Sequence, residues 1–580
     1  MPNTIYNTMQ KASSGLAASQ AGITVTGHNI SNVNTDGYSR QRIDQENIAL
    51  KNYSPDYMSL GVTTASAKRV YDDIIAKNLR SETSDLEYYK STDESLKGIE
   101  VYFNELEEGA GLGGALKDYF NAWADLANTA PDNSAEAMSK RQVVIDRASV
   151  LSSKLNDTST SLNIARDDSN KKIKMYVEEI NNLAAEISSI NKDIAAFEGS
   201  GKVANDLRDR RDLLLDKMSN LVDINVYENT SGITSVFIGN NALIDGATLN
   251  RIMLYENKNN NGYYDIYWGT NRDGASVKIT EYIKSGKIAA ELDMRDHTLK
   301  EYSDDLDGFT KNLIQETNNI HAKGYGDAYF TTLTSSNAVL SKDLKLAHDE
   351  TLNDLGIKSG TLQISIFDKD GNFVQDLYVN IDPEKDSLND IVEKISKTDD
   401  PMIRAAITDK NELYISAKDG FTFAFKDDTS NFLSSIGLNN FFTGANAENI
   451  SVANNLKTTP TYLAVHNFLA SGDNSNAKEL SELRFKQIDR LGNQTLSSFY
   501  TTLTGKIGSN KAKIGSLQQS KEYSVNQLKL KLDEVKGVSL DEEFVNMIKF
   551  QKAYEANARM VTTVDEMLST IINNMGIVGR

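Results

Sequence analysis

The chain has 580 residues, 62 basic and 81 acidic side chains, a net charge of -19 and no cysteine. Acidity on this scale repels nucleic acid and anionic membranes, whose binding proteins carry basic patches that this sequence lacks. The missing cysteine removes disulfides, thiolate zinc sites and cysteine nucleophiles, and the length implies several domains of roughly 100 to 200 residues.

No apolar run reaches the roughly 18 to 20 residues of a membrane span, and "MPNTIYNTMQKASSGL" lacks the charged-then-apolar pattern of a secretory signal, so neither is expected. Five histidines, at 28, 297, 321, 348 and 466, include no pair at ligand spacing on one helix. Phosphate-binding, G-x-S-x-G and H-E-x-x-H patterns are missing as well. The expectation is a protein with no active site, cofactor or metal.

In chain order, Ile5, Met9, Ala12, Leu16, Ser19, Ile23, Thr26, Ile30 and Val33 alternate at four and three, which predicts a long amphipathic helix with a heptad seam. Ser19 and Thr26 are weak seam residues, and Ala17, Ala18 and Ala21 permit close approach on a neighbouring face. The helix runs into "HNISNVNTDGYSRQR", His28 to Arg42. There Asn32 and Asn34 are placed to satisfy open carbonyls, and Gly37 permits a positive φ at the turn.

Leu79 to Phe103 and Leu116 to Leu126 read as helices. Ile173, Tyr176, Ile180, Leu183, Ile187, Ile190, Ile194 and Phe197 keep strict heptad spacing until Gly199-Ser200-Gly201 breaks it, and a shorter helix follows over Ala204 to Leu221. From Val222 the pattern alternates, with two aromatic-rich runs around an Asn-Gly turn, so a β-hairpin region is expected. A helix returns at about Leu292, with Leu299, Tyr302, Leu306, Phe309 and Leu313 on one seam.

Strands follow again. Leu362 to Ile381 is a hairpin around Asp370-Gly371, then come a short helix, "SLNDIVEKIS", and strands at "RAAIT", "ELYISA" and "FTFAF". Asp368, Asp370 and Asn372 look superficially like half a calcium loop, but without its position-12 glutamate they read as a plain turn. Past Pro460 the chain is helical. A capping box, Ser539 to Glu542, opens a last helix whose seam is Met547, Phe550, Tyr554, Asn557, Val561, Val564, Leu568, Ile571 and Met575, with Gly576 suited to its end.

Neither terminal helix can bury its stripe alone, so the two are expected to pair with each other or with neighbouring copies. Helical ends around a β-rich middle imply an α+β multidomain chain with discontinuous, nested domains. The expected division is an inner coiled-coil or helical-bundle domain (1–50 and 536–580), a mostly helical domain (51–221, 291–325 and 456–535), a β-rich insertion (222–290) and an outer β-rich domain (326–455).

"NISNVNTDGYSRQR" closely resembles the N-terminal signature of bacterial flagellar axial proteins, the rod, hook and hook-associated proteins. Asn29, Ile30, Asn32, Asn34, Thr35, Gly37, Tyr38 and Arg40 match it, and Ser31 stands where alanine is usual. Ser39-Arg40-Gln41, "LGVTTASAKRVYDDIIAKNLR", "ANDLRDRRDLLLDKMS" and "VSLDEEFVNMIKFQKAYEANARMVTTVDEMLSTIIN" are similar to the hook-associated branch. The β regions match nothing specific.

The resemblance implies inner terminal helices, a helical domain around them and β domains projecting outward. It implies a structural role in the extracellular flagellum, at the hook–filament junction, after export by the flagellar type III apparatus. Implied partners are other copies of the chain, hook protein, hook-associated protein 3 and an export chaperone, with no nucleic acid or membrane. Asn29, Asn32, Asn34, Thr35, Gly37, Tyr38 and Arg40 would be the assembly motif. Ile5, Met9, Leu16, Ile23, Ile30, Met547, Tyr554, Val561, Val564, Leu568 and Ile571 would form the bundle seam, and Leu568, Ile571 and Ile572 would anchor the chaperone. Rival readings are another axial component, such as hook protein or hook-associated protein 3, or a secreted enzyme with its site in the β domains.

Overall fold

A computed structural model describes residues 2–50, 58–64, 66–103, 109, 111–129, 134–199, 202–269, 276–352, 355–397, 401–467 and 472–574. Ser200, Gly201, Met575 and Gly576, expected at helix breaks and on the last seam, lie outside them. The chain is mixed α and β with long helices at both ends, as expected. Its contacts form two compact units, one of residues 1–93, 169–293 and 513–580, the other of 94–168 and 294–512.

In the first unit the N-terminal helix Pro2–Ser31 packs along the C-terminal helix Leu540–Asn574. The hairpin Gln45–Leu50 with Met58–Thr64 lies against the N-terminal helix, where Ser14 Oγ accepts from the Val62 amide at 3.2 Å. A short strand pair, Gln41–Arg42 with Lys68–Arg69, follows the signature turn. These strands were not anticipated within a segment read as helical. "QENIAL" sets three polar residues before three apolar ones, so it lacks the period-two alternation that marks a strand in sequence.

The heptad run of residues 173–194 belongs to one 64-residue helix, Ala135–Glu198, that starts well before the expected stripe. Its seam is buried, but not against a helix alone. Ile173, Ile180, Ile187 and Ile194 share one hydrophobic cluster with Leu214, Leu215 and Met218 of the helix Asn205–Leu221 and with Val236, Ile238, Ile244, Ile252 and Ile266 from two antiparallel sheets. Asn191 and Asn181 of the same helix donate to strand carbonyls, Asn191 to Thr234 and Gly246 at 2.7 and 2.9 Å and Asn181 to Ile252 at 2.9 Å. The segment 222–290, expected as a separate insertion, therefore shares its core with these helices, because its sheets supply the apolar surface that the heptad needs.

The second unit is built on the helix Leu299–His321, whose seam of Leu299, Tyr302, Leu306, Phe309 and Leu313 is fully buried. Two three-stranded antiparallel sheets follow. Gly360–Asp368 runs between Phe373–Ile381 and Phe421–Asp428, and Leu413–Ala417 runs between Thr332–Thr334 and Ile403–Ile407. Their inner faces close over Phe423, Phe425 and the helix Leu388–Ile395. That helix opens on a capping box, with Asp390 accepting from the Ser387 amide at 2.8 Å.

At the tip of the first hairpin, Asp368 accepts from the amides of Asp370 and Asn372, both at 2.9 Å, and Gly371 takes φ +81, so this carboxylate organises a turn. Deeper in the unit His321 is fully enclosed. Its Nδ1 lies 2.8 Å from the Asn439 carbonyl and its Nε2 accepts from the Ala464 amide at 3.0 Å, a pattern that only the neutral Nδ1–H tautomer satisfies.

Candidate functional site: the joint of the terminal helices

The signature turn begins as a helix stop. Asn32 Nδ2 donates to the His28 carbonyl at 3.0 Å, Thr35 Oγ1 donates to Asn32 Oδ1 at 3.2 Å, and the Thr35 and Tyr38 amides bond back to the Asn32 and Thr35 carbonyls. Gly37 then turns the chain at φ +80, and a side chain there would press on Leu213 of the helix Asn205–Leu221. Asn34 is exposed and makes no hydrogen bond among the described residues.

Asn29, only 1% exposed, is the centre of the joint. Its Nδ2 donates to the Gln41 carbonyl and to Glu543 Oε2, both at 2.9 Å, while its Oδ1 accepts from the Gln41 amide at 2.9 Å and from the Tyr38 hydroxyl at 2.7 Å. Every donor and acceptor of the amide is used. Three pieces of chain meet there: the end of the first helix, the strand after the turn and the start of the last helix.

Arg40 completes the contact with the last helix. Its Nε donates to the buried Glu543 at 2.8 Å, its Nη1 lies 3.0 Å from Glu542, and its amide donates to the Lys536 carbonyl at 2.9 Å. The expected capping box is thereby altered. Ser539 Oγ is 3.5 Å from the Glu542 amide, and the Glu542 carboxylate turns to the Arg40 guanidinium, a stronger partner than a backbone N–H. Tyr38, wedged against His28, has its hydroxyl pKa pushed well up by burial and then by Asp206, Asp209 and Glu543, so it stays a donor.

The helix Asn205–Leu221 supplies the floor. Asp209 accepts from the Ser39 amide at 3.0 Å, and Asp206 accepts from Gln41 Nε2 at 3.0 Å. The same acidic face grips the following segment: Arg69 reaches Asp209 at 2.9 Å and Asp212 at 2.7 Å, and Arg80 reaches Asp216 at 2.6 Å. Burial raises the Asp209 pKa against the opposing pull of Arg69. Asp206, Asp209, Asp212 and Asp216 recur at three and four, a spacing that marks one helix face in the sequence and could have identified this floor.

Along the helix pair the contacts run antiparallel at heptad intervals. A Cβ on Gly15 would lie 2.6 Å from Asn557 Oδ1, a Cβ on Gly22 would lie 2.6 Å from the Phe550 ring, and Asn29 bonds Glu543. The first helix thus presents its small residues, Ala12, Gly15, Ser19, Gly22 and Thr26. Leu16, Ile23 and Ile30, expected to lead the seam, are half-buried beside it, as is Ile5, while Met9 is exposed. Backbones approach closely only across small side chains, and here the large ones come from the partner.

On the last helix Val564 is buried, and Met547, Val561 and Leu568 are half-buried. Tyr554 and Ile571 face solvent, each 40% exposed, and Ile572 more so. Of the expected seam positions among the described residues of the two helices, Met9, Tyr554 and Ile571 are thus the exposed ones.

Three family models match the chain. One, described as the flagellar hook-associated protein FlgK helical domain, covers residues 96–329, and those of the flagellar basal body rod FlgEFG protein C-terminal and the flagella basal body rod protein cover 533–575 and 9–38. Among curated relatives, flagellar hook-associated protein 1 of Bacillus subtilis is 27% identical across 99% of both chains. Those of Salmonella typhimurium and Escherichia coli are 24% and 23% identical over 97% of this chain and 98% and 99% of theirs. The fold is similar to that of the flagellar hook junction protein FlgK from Burkholderia pseudomallei, with a TM-score of 0.51 and 14% identity over 79% of this chain and 100% of that one.

Proposed function

The chain belongs to the flagellar hook-associated protein 1 family, and from that premise we propose that it joins hook to filament by assembling at the hook tip, as a structural axial protein and not an enzyme. The observation that carries this reading is the joint itself. Its sequence signature, its two terminal helices and the acidic helix beneath them form one hydrogen-bonded unit with no chemistry to perform. The 9–38 and 533–575 matches to rod proteins fall on those same helices.

In this reading the protein leaves the cell through the flagellar type III apparatus and resides in the extracellular flagellum. Its partners are further copies of itself, hook protein below and hook-associated protein 3 above. The inner segments 1–50 and 536–580 make the axial contacts. Asn29, Asn32, Gly37, Tyr38 and Arg40 act by holding the joint, and Asn34 and Thr35, exposed on its rim, are the members of the motif available to a neighbour. Before export, a chaperone covers Leu568, Ile571 and Ile572; chaperone binding by a chain truncated after Met547 would reject that role.

Electron microscopy of purified hooks incubated with the protein is the direct test. Attachment to bare hooks is expected. Attachment only to hooks that already carry another junction protein would favour hook-associated protein 3, and growth of curved polymer would favour hook protein.

A further inference from the structure

The C-terminal helix carries an exposed apolar ridge near its start and, together with the first helix, walls an apolar groove near its end. Near its start Asp541, Phe544, Val545 and Ile548 recur at three and four and share one face, with Phe544, Val545 and Ile548 exposed by 50%, 65% and 58%. This is a ridge. Near its end Met560, Val564 and Met567, with Ile5 and Thr8 of the first helix, line an apolar groove of about 400 Å³ with Arg559 on its rim. Neither Asp541 nor Arg559 forms an ion pair among the described residues.

We propose that the ridge of one copy seats in the groove of the next. The occupant is identified by what the same helix offers. Both features are apolar, each ends on one unpaired charge, and the charges are opposite. They are also spaced alike. With the helices parallel and offset from position 541 to 559, eighteen residues or about 27 Å at roughly 1.5 Å per residue, Asp541 faces Arg559, Val545 faces Thr563 and Ile548 faces Met567 and Val564. Because ridge and groove are different surfaces, the contact is heterologous: each copy keeps a free ridge at one end and a free groove at the other, so addition continues until symmetry closes it. Methionines suit such a groove, since their unbranched side chains reshape around an incoming aromatic or aliphatic residue.

This inference rests on the assembly reading above and goes further by naming the surfaces. The natural chain has no cysteine, so introduced thiols report without background. Full-length Val545→Cys and Thr563→Cys variants are mixed, added to hooks and oxidised. The expected product is a 545–563 disulfide between two copies, identified by its linked peptides. Attachment to hooks with only 545–545 links, or with links to hook protein or a chaperone, would overturn the ridge-and-groove contact while leaving the assembly reading intact. Failure to attach at all, with each variant shown folded by circular dichroism, would reject both.

Charge exchange gives an independent measure. Asp541→Arg and Arg559→Asp alone should each weaken self-association by at least about tenfold in sedimentation, and the double exchange should restore it. Equal loss in single and double variants would overturn the pairing.

Discussion

At Asn29 one primary amide holds together chain segments 514 positions apart, and its full set of hydrogen bonds makes its removal costly. Asn29→Ala leaves the buried Glu543 carboxylate with one partner fewer and strands the Gln41 backbone groups. A loss of about 2–3 kcal/mol is expected, read as faster proteolysis and amide exchange in residues 20–31 and 540–550 with the second unit unchanged. His321 sets an acid limit on that second unit. Burial lowers its pKa to about 4 from the ordinary 6.5, so the unfolded chain takes up a proton between those values and the folded chain does not. Stability from this group is complete above about pH 6.5 and is lost as pH falls towards 4, by roughly 3 kcal/mol in all. Urea denaturation of the second unit should show that slope, and His321→Gln should flatten it. Little of this was legible beforehand, because an isolated histidine in a helix says nothing of what encloses it. The role of Asn29 was visible only as membership in a motif.

Among elements, the two terminal helices were plain from periodicity, and so were the hairpin at Asp370-Gly371 and the helix carrying Leu299 to Leu313. The face of the first helix was not. A seam is sought by its largest apolar residues, which selected Leu16, Ile23 and Ile30, whereas a close antiparallel crossing selects the smallest. Gly15 and Gly22 at a seven-residue interval were the overlooked signal. Gly22→Ala should weaken the pair by about 1–3 kcal/mol through overpacking on Phe550, and Phe550→Ala in the same chain should recover most of it, a coupling that a double-mutant cycle reads directly. Because the last helix is open along much of its length, the free protein should exchange amides faster there than in residues 173–194 of the long helix, whose seam lies within a core. Deuterium uptake followed by peptide would decide this, and equal protection would contradict it.

For the whole molecule, each unit closes its own hydrophobic cluster, one around Ile180 and Val236 and one around Ile364 and Phe423. Two calorimetric transitions are therefore expected, and His321→Gln should alter the pH dependence of only one. The sequence order revealed nesting but not the borders, since the strands of 222–290 look independent until the helix that needs their inner face is known. The spacing of the glycines has one more consequence. Contacts that repeat every seven residues leave a sliding pair of helices nearly indifferent to a jump of one repeat, about 10 Å, because Gly22 could meet Asn557 as well as Gly15 does. The polar contact of Asn29 with Glu543 occurs once, and shifted by a repeat it would set the amide against the Phe550 ring with its hydrogen bonds unmade. It works as the single tooth of a clasp on an otherwise even track, and it decides where the long loop of chain between the two helices begins and ends.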